Sequence, residues 1–175
     1  AGCMMELIDA ALGTIPILGV CLGFQALLEH HGGAVEPCGP VHGKSVPMTL
    51  TEAGVKHPVF QDLATDTEPD QPDHLGTQVP VARYHSLGCT DLPRGMRCLA
   101  RTSTDTGEVA MAAETDDGRA LGMQFHPESI LTEQGHEVVD HGPLEYDAQD
   151  DYPVFVLPTA QAVAADPDSR GIVLG

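Results

Sequence analysis

The sequence predicts an α/β domain, with a mainly parallel sheet, helices on both of its faces and a smaller antiparallel element. Two observations carry this expectation. A short apolar run at residues 15–20 sits between two stretches of helical periodicity, and a series of β-like pieces separated by turn signals follows later in the chain. A strand covered on both faces reads as such an unbroken apolar run, because neither side meets water.

The elements follow in order. Residues 3–12 carry apolar side chains at Met4, Met5, Leu7, Ile8, Ala11 and Leu12. That i, i+3/i+4 stripe predicts an amphipathic helix, and Gly13 offers its C-cap. Residues 15–20, interrupted only by Pro16 and Gly19, predict the buried strand. Residues 22–29 return to helical character and stop at Gly32-Gly33. From 34 to 60 the pattern is short and β-like, with Val41, Val46, Met48 and Leu50 as its apolar positions. Residues 61–78 are rich in Asp, Glu, Pro and Thr without apolar periodicity, which predicts a surface loop. Strand-like pieces come at 79–84, 96–102, 109–114 and 121–125. Turn signals Pro93-Arg94-Gly95, Asp105-Thr106-Gly107 and Asp116-Asp117-Gly118 separate them. Residues 133–140 read as a short helix. The expected organisation is one domain over 1–141 and a tail, 142–175, whose prolines, acids and single apolar run at 154–157 suggest no role.

Composition narrows the partners. The chain has 175 residues, 26 acids against 8 bases, and a formal charge of −18. Such a field repels phosphate backbones and anionic lipid, which argues against nucleic acid and membrane surfaces. A solvated acidic surface is the plain explanation, with much of the excess between 62 and 73 and between 137 and 151. No apolar run approaches the ~20 residues that span a bilayer, and the first residues lack the basic start of a secretory signal, so the expected location is the cytoplasm. The 5 cysteines form no C-x-x-C pair, so neither a zinc ribbon nor a redox dithiol is indicated, and no metal or cofactor is expected.

Gly19-Val20-Cys21-Leu22-Gly23 is the most informative segment. It puts a thiol at the abrupt junction of a buried strand and a helix. Such an elbow forces the nucleophile into a strained conformation and needs small neighbours, which Gly19 and Gly23 supply. The N-terminus of the following helix favours the thiolate, and its backbone N–H groups could receive an oxyanion. The bland alternative is a small buried cysteine in a glycine-rich turn.

Far downstream, Gly122-Met123-Gln124-Phe125-His126-Pro127-Glu128-Ser129 ends an apolar run and opens a loop. A neutral imidazole at His126 could take the thiol proton and return it to a leaving group. Glu128, two residues on along an extended segment, could hold the imidazole tautomer. Pro127 stiffens the spacing by fixing its own φ. The other histidines, such as His30, His31, His57 and His136, lack metal spacing and read as cap or surface residues.

With these pieces in view, the chain resembles the class I, triad-type glutamine amidotransferases, and within them the glutaminase subunits of anthranilate synthases. The match runs from about residue 2 to about 137. It is carried by P-I-L-G-V-C-L-G-F-Q at 16–25, P-V-H-G-K at 40–44, R-Y-H-S-L at 83–87 and G-M-Q-F-H-P-E-S-I-L-T-E-Q-G at 122–135. The resemblance implies a flavodoxin-like fold and a triad of Cys21, His126 and Glu128. It implies that Leu22 gives a backbone N–H to the oxyanion hole and that Gln25 helps hold the substrate glutamine. The Ser86-Leu87 backbone would bind the amino-acid end of that substrate. Ammonia would pass to a chorismate-using synthase subunit in a hetero-oligomer; His42, Gly43 and Lys44 would either lie near that partner or form a solvated turn.

The resemblance has departures. Many relatives carry His where this chain has Phe24. Family members open with further strands and a glycine-proline loop that supplies another oxyanion donor, so the expectation is a domain lacking its first strands. The end of the chain does not match the family's closing helix. Two other readings therefore stand beside anthranilate formation: the equivalent subunit for 4-amino-4-deoxychorismate on the folate route, and an impaired fragment that only binds a partner. Another Cys-His hydrolase on a related fold is opposed by Gln25 and the Y-H-S-L segment.

Overall fold

The computed structural model describes residues 2–40, 43–67, 75–127, 129 and 172–175. The elements are α1 (Gly2–Ala11), β1 (Ile17–Val20), α2 (Leu22–His30), β2 (Glu36–Pro37), β3 (Lys44–Leu50), α3 (Glu52–Val55), β4 (Gln78–Arg83), β5 (Leu87–Gly88), β6 (Met96–Thr104), β7 (Gly107–Thr115), β8 (Ala120–Met123) and β9 (Ile172–Leu174), with a 3-10 turn at Pro58–Phe60. A seven-stranded sheet runs β4-β3-β6-β7-β8-β1-β9, and β2 pairs with β5 separately.

The chain adopts the expected α/β class, with a mixed sheet. Strand β1 is parallel to β8, Val20 opposite Met123, and parallel to β9, Gly19 opposite Leu174. The pairings β3–β4, β3–β6, β6–β7 and β7–β8 are antiparallel. The antiparallel strands thus continue the parallel ones in one sheet. Turn length explains the change of sense: a tight turn such as Asp105-Thr106-Gly107 can join only antiparallel neighbours, whereas parallel strands need a long crossover.

Strand β1 lies at the centre of the packing. Leu18 and Val20 point into a cluster with Met48, Phe60, Leu99, Met111 and Phe125. Ile17 points the other way, against Leu7, Ile8 and Ala11 of α1, Leu27 of α2, Ala120, Ile172 and Leu174. The two-residue alternation of a strand thus gives each face its own core. On the second face α2 also sets Phe24 and Leu28 on Cys89, Met96, Ala110 and Ala113. The departure Phe24 is fully buried, and a Cβ on Gly122 would lie 2.0 Å from its Cδ2. Only glycine at 122 leaves room for that ring against β8.

Two stretches differ from the sequence expectation. Residues 52–60, read as β-like, form α3 and the 3-10 turn. Thr51 caps α3 through its hydroxyl, which accepts from the Gly54 N–H at 3.1 Å, and Pro58 starts the turn where a missing N–H costs nothing. The tail beyond 142 contributes β9, and Ile172 and Leu174 are buried in the cluster under α1 and α2. Glu128, His42, the helix expected at 133–140 and the apolar run at 154–157 lie outside the described residues. Among the described residues, no helix is long and apolar enough to cross a membrane.

Candidate active site

Cys21 sits where β1 turns into α2, with φ 51° and ψ −99°. A positive φ on a residue with a Cβ is strained, and such strain is held only where the surroundings over-determine it. The determinants are visible. The Cys21 N–H donates to Met123 O at 2.8 Å, extending the β1–β8 pairing by one residue, and Gln25 N–H donates back to Cys21 O at 3.1 Å. Helix α2 then folds directly over the strand. A Cβ on Gly19 would fall 2.8 Å from the Gly23 carbonyl carbon, and one on Gly23 would fall 2.0 Å from Leu174 O. The two flanking glycines are therefore required by contact with α2 and β9.

Around the thiol, buried polar side chains form a continuous line. Gln124, fully buried, donates from Nε2 to Cys21 Sγ at 3.8 Å. Its Oε1 accepts from Gln25 Nε2 at 3.1 Å, and Gln25 also donates to Leu87 O at 3.4 Å. Leu87 O accepts a second bond from His85 Nδ1 at 2.7 Å, while Arg83 Nε donates to His85 Nε2 at 2.9 Å. Because a guanidinium only donates and a carbonyl only accepts, His85 is fixed as the Nδ1–H tautomer. Burial lowers the His85 pKa to about 4; the Leu87 hydrogen bond opposes this, and the charges of Arg83 and His126 add to it. His85 is therefore neutral at pH 7. Cys38 completes this pocket, its sulfur 3.6 Å from Arg83 Nη2.

His126 follows three residues after Met123, the strand residue that accepts from Cys21, so both side chains belong to the carboxyl end of adjacent parallel strands. Its backbone N–H donates to Ala82 O at 3.4 Å, and its half-buried ring meets Tyr84 edge-on at 5.5 Å between centroids. Tyr84 also reaches Ser129, hydroxyl to hydroxyl at 3.3 Å. Leu22 is 60% exposed at the first turn of α2, and Leu87 and Tyr84 are exposed on the same rim. The Ser86 carbonyl accepts from Cys38 N–H at 2.8 Å, so the Ser86-Leu87 backbone is tied to β2 on one side and to Gln25 on the other.

Of the expected site residues, Cys21, Gln25 and Leu87 are joined by hydrogen bonds. Leu22 and Ser86 border them and His126 lies on the neighbouring strand end. Sequence reasoning gave no role to Gln124, His85 or Arg83, although all three stand inside the motifs. The only available signal was polar residues inside apolar strand patterns, which does not say what they touch.

The fold and this rim define an α/β protein bearing a strained cysteine at a strand-to-helix corner. Residues 1–145 match the family described as glutamine amidotransferase class-I, and the chain belongs to that family. It is 59% identical over 135 residues to anthranilate synthase component 2 of Corynebacterium glutamicum, covering 77% of this chain and 65% of that protein. It is 43% identical over 145 residues to the pyocyanine-specific anthranilate synthase component 2 of Pseudomonas aeruginosa, covering 82% and 62%. The chain thus spans somewhat less than two thirds of these relatives. Among solved structures, a putative GMP synthase protein of Thermoplasma acidophilum superposes with a TM-score of 0.60 at 22% identity, covering 78% of this chain and 59% of that one. That likeness bears on the fold alone.

Proposed function

We propose that the chain carries the glutaminase step of an amidotransferase and supplies ammonia for anthranilate formation. One observation carries the reading most directly: Cys21 is held at positive φ and hydrogen-bonded into the strand that leads to His126. Similarity to two proteins named anthranilate synthase component 2 supports the pathway.

In this reading neutral His126 takes the thiol proton, and the Cys21 sulfur adds to the side-chain amide carbon of glutamine. The oxyanion is received by the Leu22 backbone N–H at the start of α2, where unpaired helical donors and the helix dipole favour negative charge. The C–N bond breaks as the imidazolium returns its proton to nitrogen, which leaves as ammonia. A water molecule, deprotonated by His126, then attacks the thioester carbon and frees glutamate and the thiol. Glu128 is assigned the orienting role for His126 by its spacing. Gln25 and the Ser86-Leu87 backbone hold the substrate. Ammonia passes to a chorismate-using synthase subunit in a hetero-oligomer, the partner that the word "component" implies in the relatives' names.

The test is glutamate release from glutamine by this chain and by Cys21→Ala, each alone and with a chorismate-using synthase partner. Loss of a nucleophile that acts in a triad lowers kcat by as much as ~10⁶-fold, so release by the variant should fall to background. Equal rates would refute the hydrolase reading. Identification of the aminated product as anthranilate or 4-amino-4-deoxychorismate assigns the pathway.

A further inference from the structure

We infer that Gln124 is the residue that grips the nucleophile, directing an N–H at the Cys21 sulfur and stabilising the negative charge that develops there. The inference rests on the hydrolase reading for its purpose, though its physical content does not need it.

The orientation of the Gln124 amide follows from its neighbours. Leu87 O can only accept, so the group that Gln25 turns toward it is the NH2. The same Gln25 nitrogen reaches Gln124 at 3.1 Å, so Gln124 answers with its carbonyl oxygen. Its own NH2 is left facing Cys21 Sγ at 3.8 Å, within reach of an N–H···S hydrogen bond. Gln124 is fully buried, and a buried amide N–H left without an acceptor is costly, so the sulfur satisfies the amide as the amide satisfies the sulfur. The backbone is pinned as well: Gln124 N–H donates to Met111 O at 2.8 Å, anchoring the residue to β7.

Two adjacent residues, Met123 and Gln124, thus hold the nucleophile twice, once by its N–H and once by its sulfur. A hydrogen-bond donor favours the charged form of its acceptor. The grip is strongest on a thiolate and weakens once the sulfur becomes a thioester, which has less charge to offer. Gln124 therefore stabilises the attacking species more than the acyl product.

The experiment measures carbamidomethylation of Cys21 by iodoacetamide from pH 6 to 10, read by peptide mass spectrometry. Exposed Cys3 serves as the internal reference. Relative to Cys3, Gln124→Met, of similar length and without a donor, should slow Cys21 about tenfold near pH 7, the order expected for a hydrogen bond to a charged group. Gln124→Glu, whose carboxylate repels a thiolate, should move the rise of the Cys21 rate to higher pH. A merely structural role would slow alkylation equally at every pH and leave the profile unshifted. Unchanged Cys21 profiles in folded variants overturn the inference. If Gln124→Met does not fold, Gln25→Met removes the group that orients the Gln124 amide. It should also slow Cys21, and an unchanged rate there overturns the inference equally. Glutamine hydrolysis by the unaltered chain is measured in parallel. An inactive chain with a slowed Cys21 in the variant sinks the hydrolase reading and leaves this one; an active chain with unchanged alkylation does the reverse.

Discussion

His85 shows how much one side chain contributes when burial holds it neutral. In the folded chain its pKa is lowered to about 4 from an ordinary 6.5, because burial disfavours the imidazolium beside Arg83. Below pH 6.5 the unfolded chain takes up a proton that the folded chain refuses. Stability contributed by neutral His85 is therefore fully present above 6.5 and is lost as pH falls toward 4, where both states are protonated. Over that window the linkage is worth on the order of 3 kcal/mol. A His85→Gln chain keeps a donor for Leu87 O but cannot titrate. Urea midpoints measured from pH 7 to 4 should fall more steeply for the unaltered chain than for the variant. Parallel curves would show that His85 is not a buried neutral group.

Between elements, α2 packs tightly on β8, where Phe24 occupies the space a side chain at Gly122 would need. Gly122→Ala should cost about 1–3 kcal/mol, the range for overpacking a well-filled core. In a Phe24→Leu background the same alanine should cost less, because a smaller side chain leaves room. A double-mutant cycle on thermal or urea unfolding reads the difference, and simple additivity would mean that the two residues do not share the space. This contact also explains what the sequence made legible. The stripe of Leu7, Ile8 and Ala11 and the run around Ile17 and Leu18 are local patterns, and the predicted α1, β1 and α2 fell where the structure has them. The strand pieces at 79–84, 96–102 and 109–114 correspond to β4, β6 and β7 for the same reason. What escaped was decided by distant or polar partners. Strand β9 exists because Ile172 and Leu174 find the open side of β1, far away in sequence. Helix α3 depends on one hydroxyl at Thr51, and no apolar period announces it. The role of Gln124 appears only when β1, α2 and β8 meet.

At the scale of the whole molecule, electrostatics oppose folding more than they support it. The chain carries 26 acids against 8 bases. The favourable pairs are few among the described residues: Lys56 with Glu52 on the surface, Arg97 and His57 converging on Glu114, and His30 of α2 with Asp9 of α1. The first is an exposed i, i+4 pair, which water and salt screen heavily. The second surrounds a buried carboxylate, where screening acts weakly. Long-range repulsion is different. At about 0.01 M salt the Debye length is roughly 30 Å, so acids across the whole domain act on one another; at 0.15 M it is about 8 Å and only near neighbours do. Compaction concentrates a charge of −18, and screening relieves that penalty in the folded state more than in the expanded one. Adding NaCl should therefore raise the urea midpoint steeply up to a few tenths molar and then level off. A curve that rises linearly without levelling would point to solvent exclusion by the salt in place of screening. A midpoint that falls with salt would mean that the attractive pairs dominate, contrary to the balance drawn from 26 acids and 8 bases.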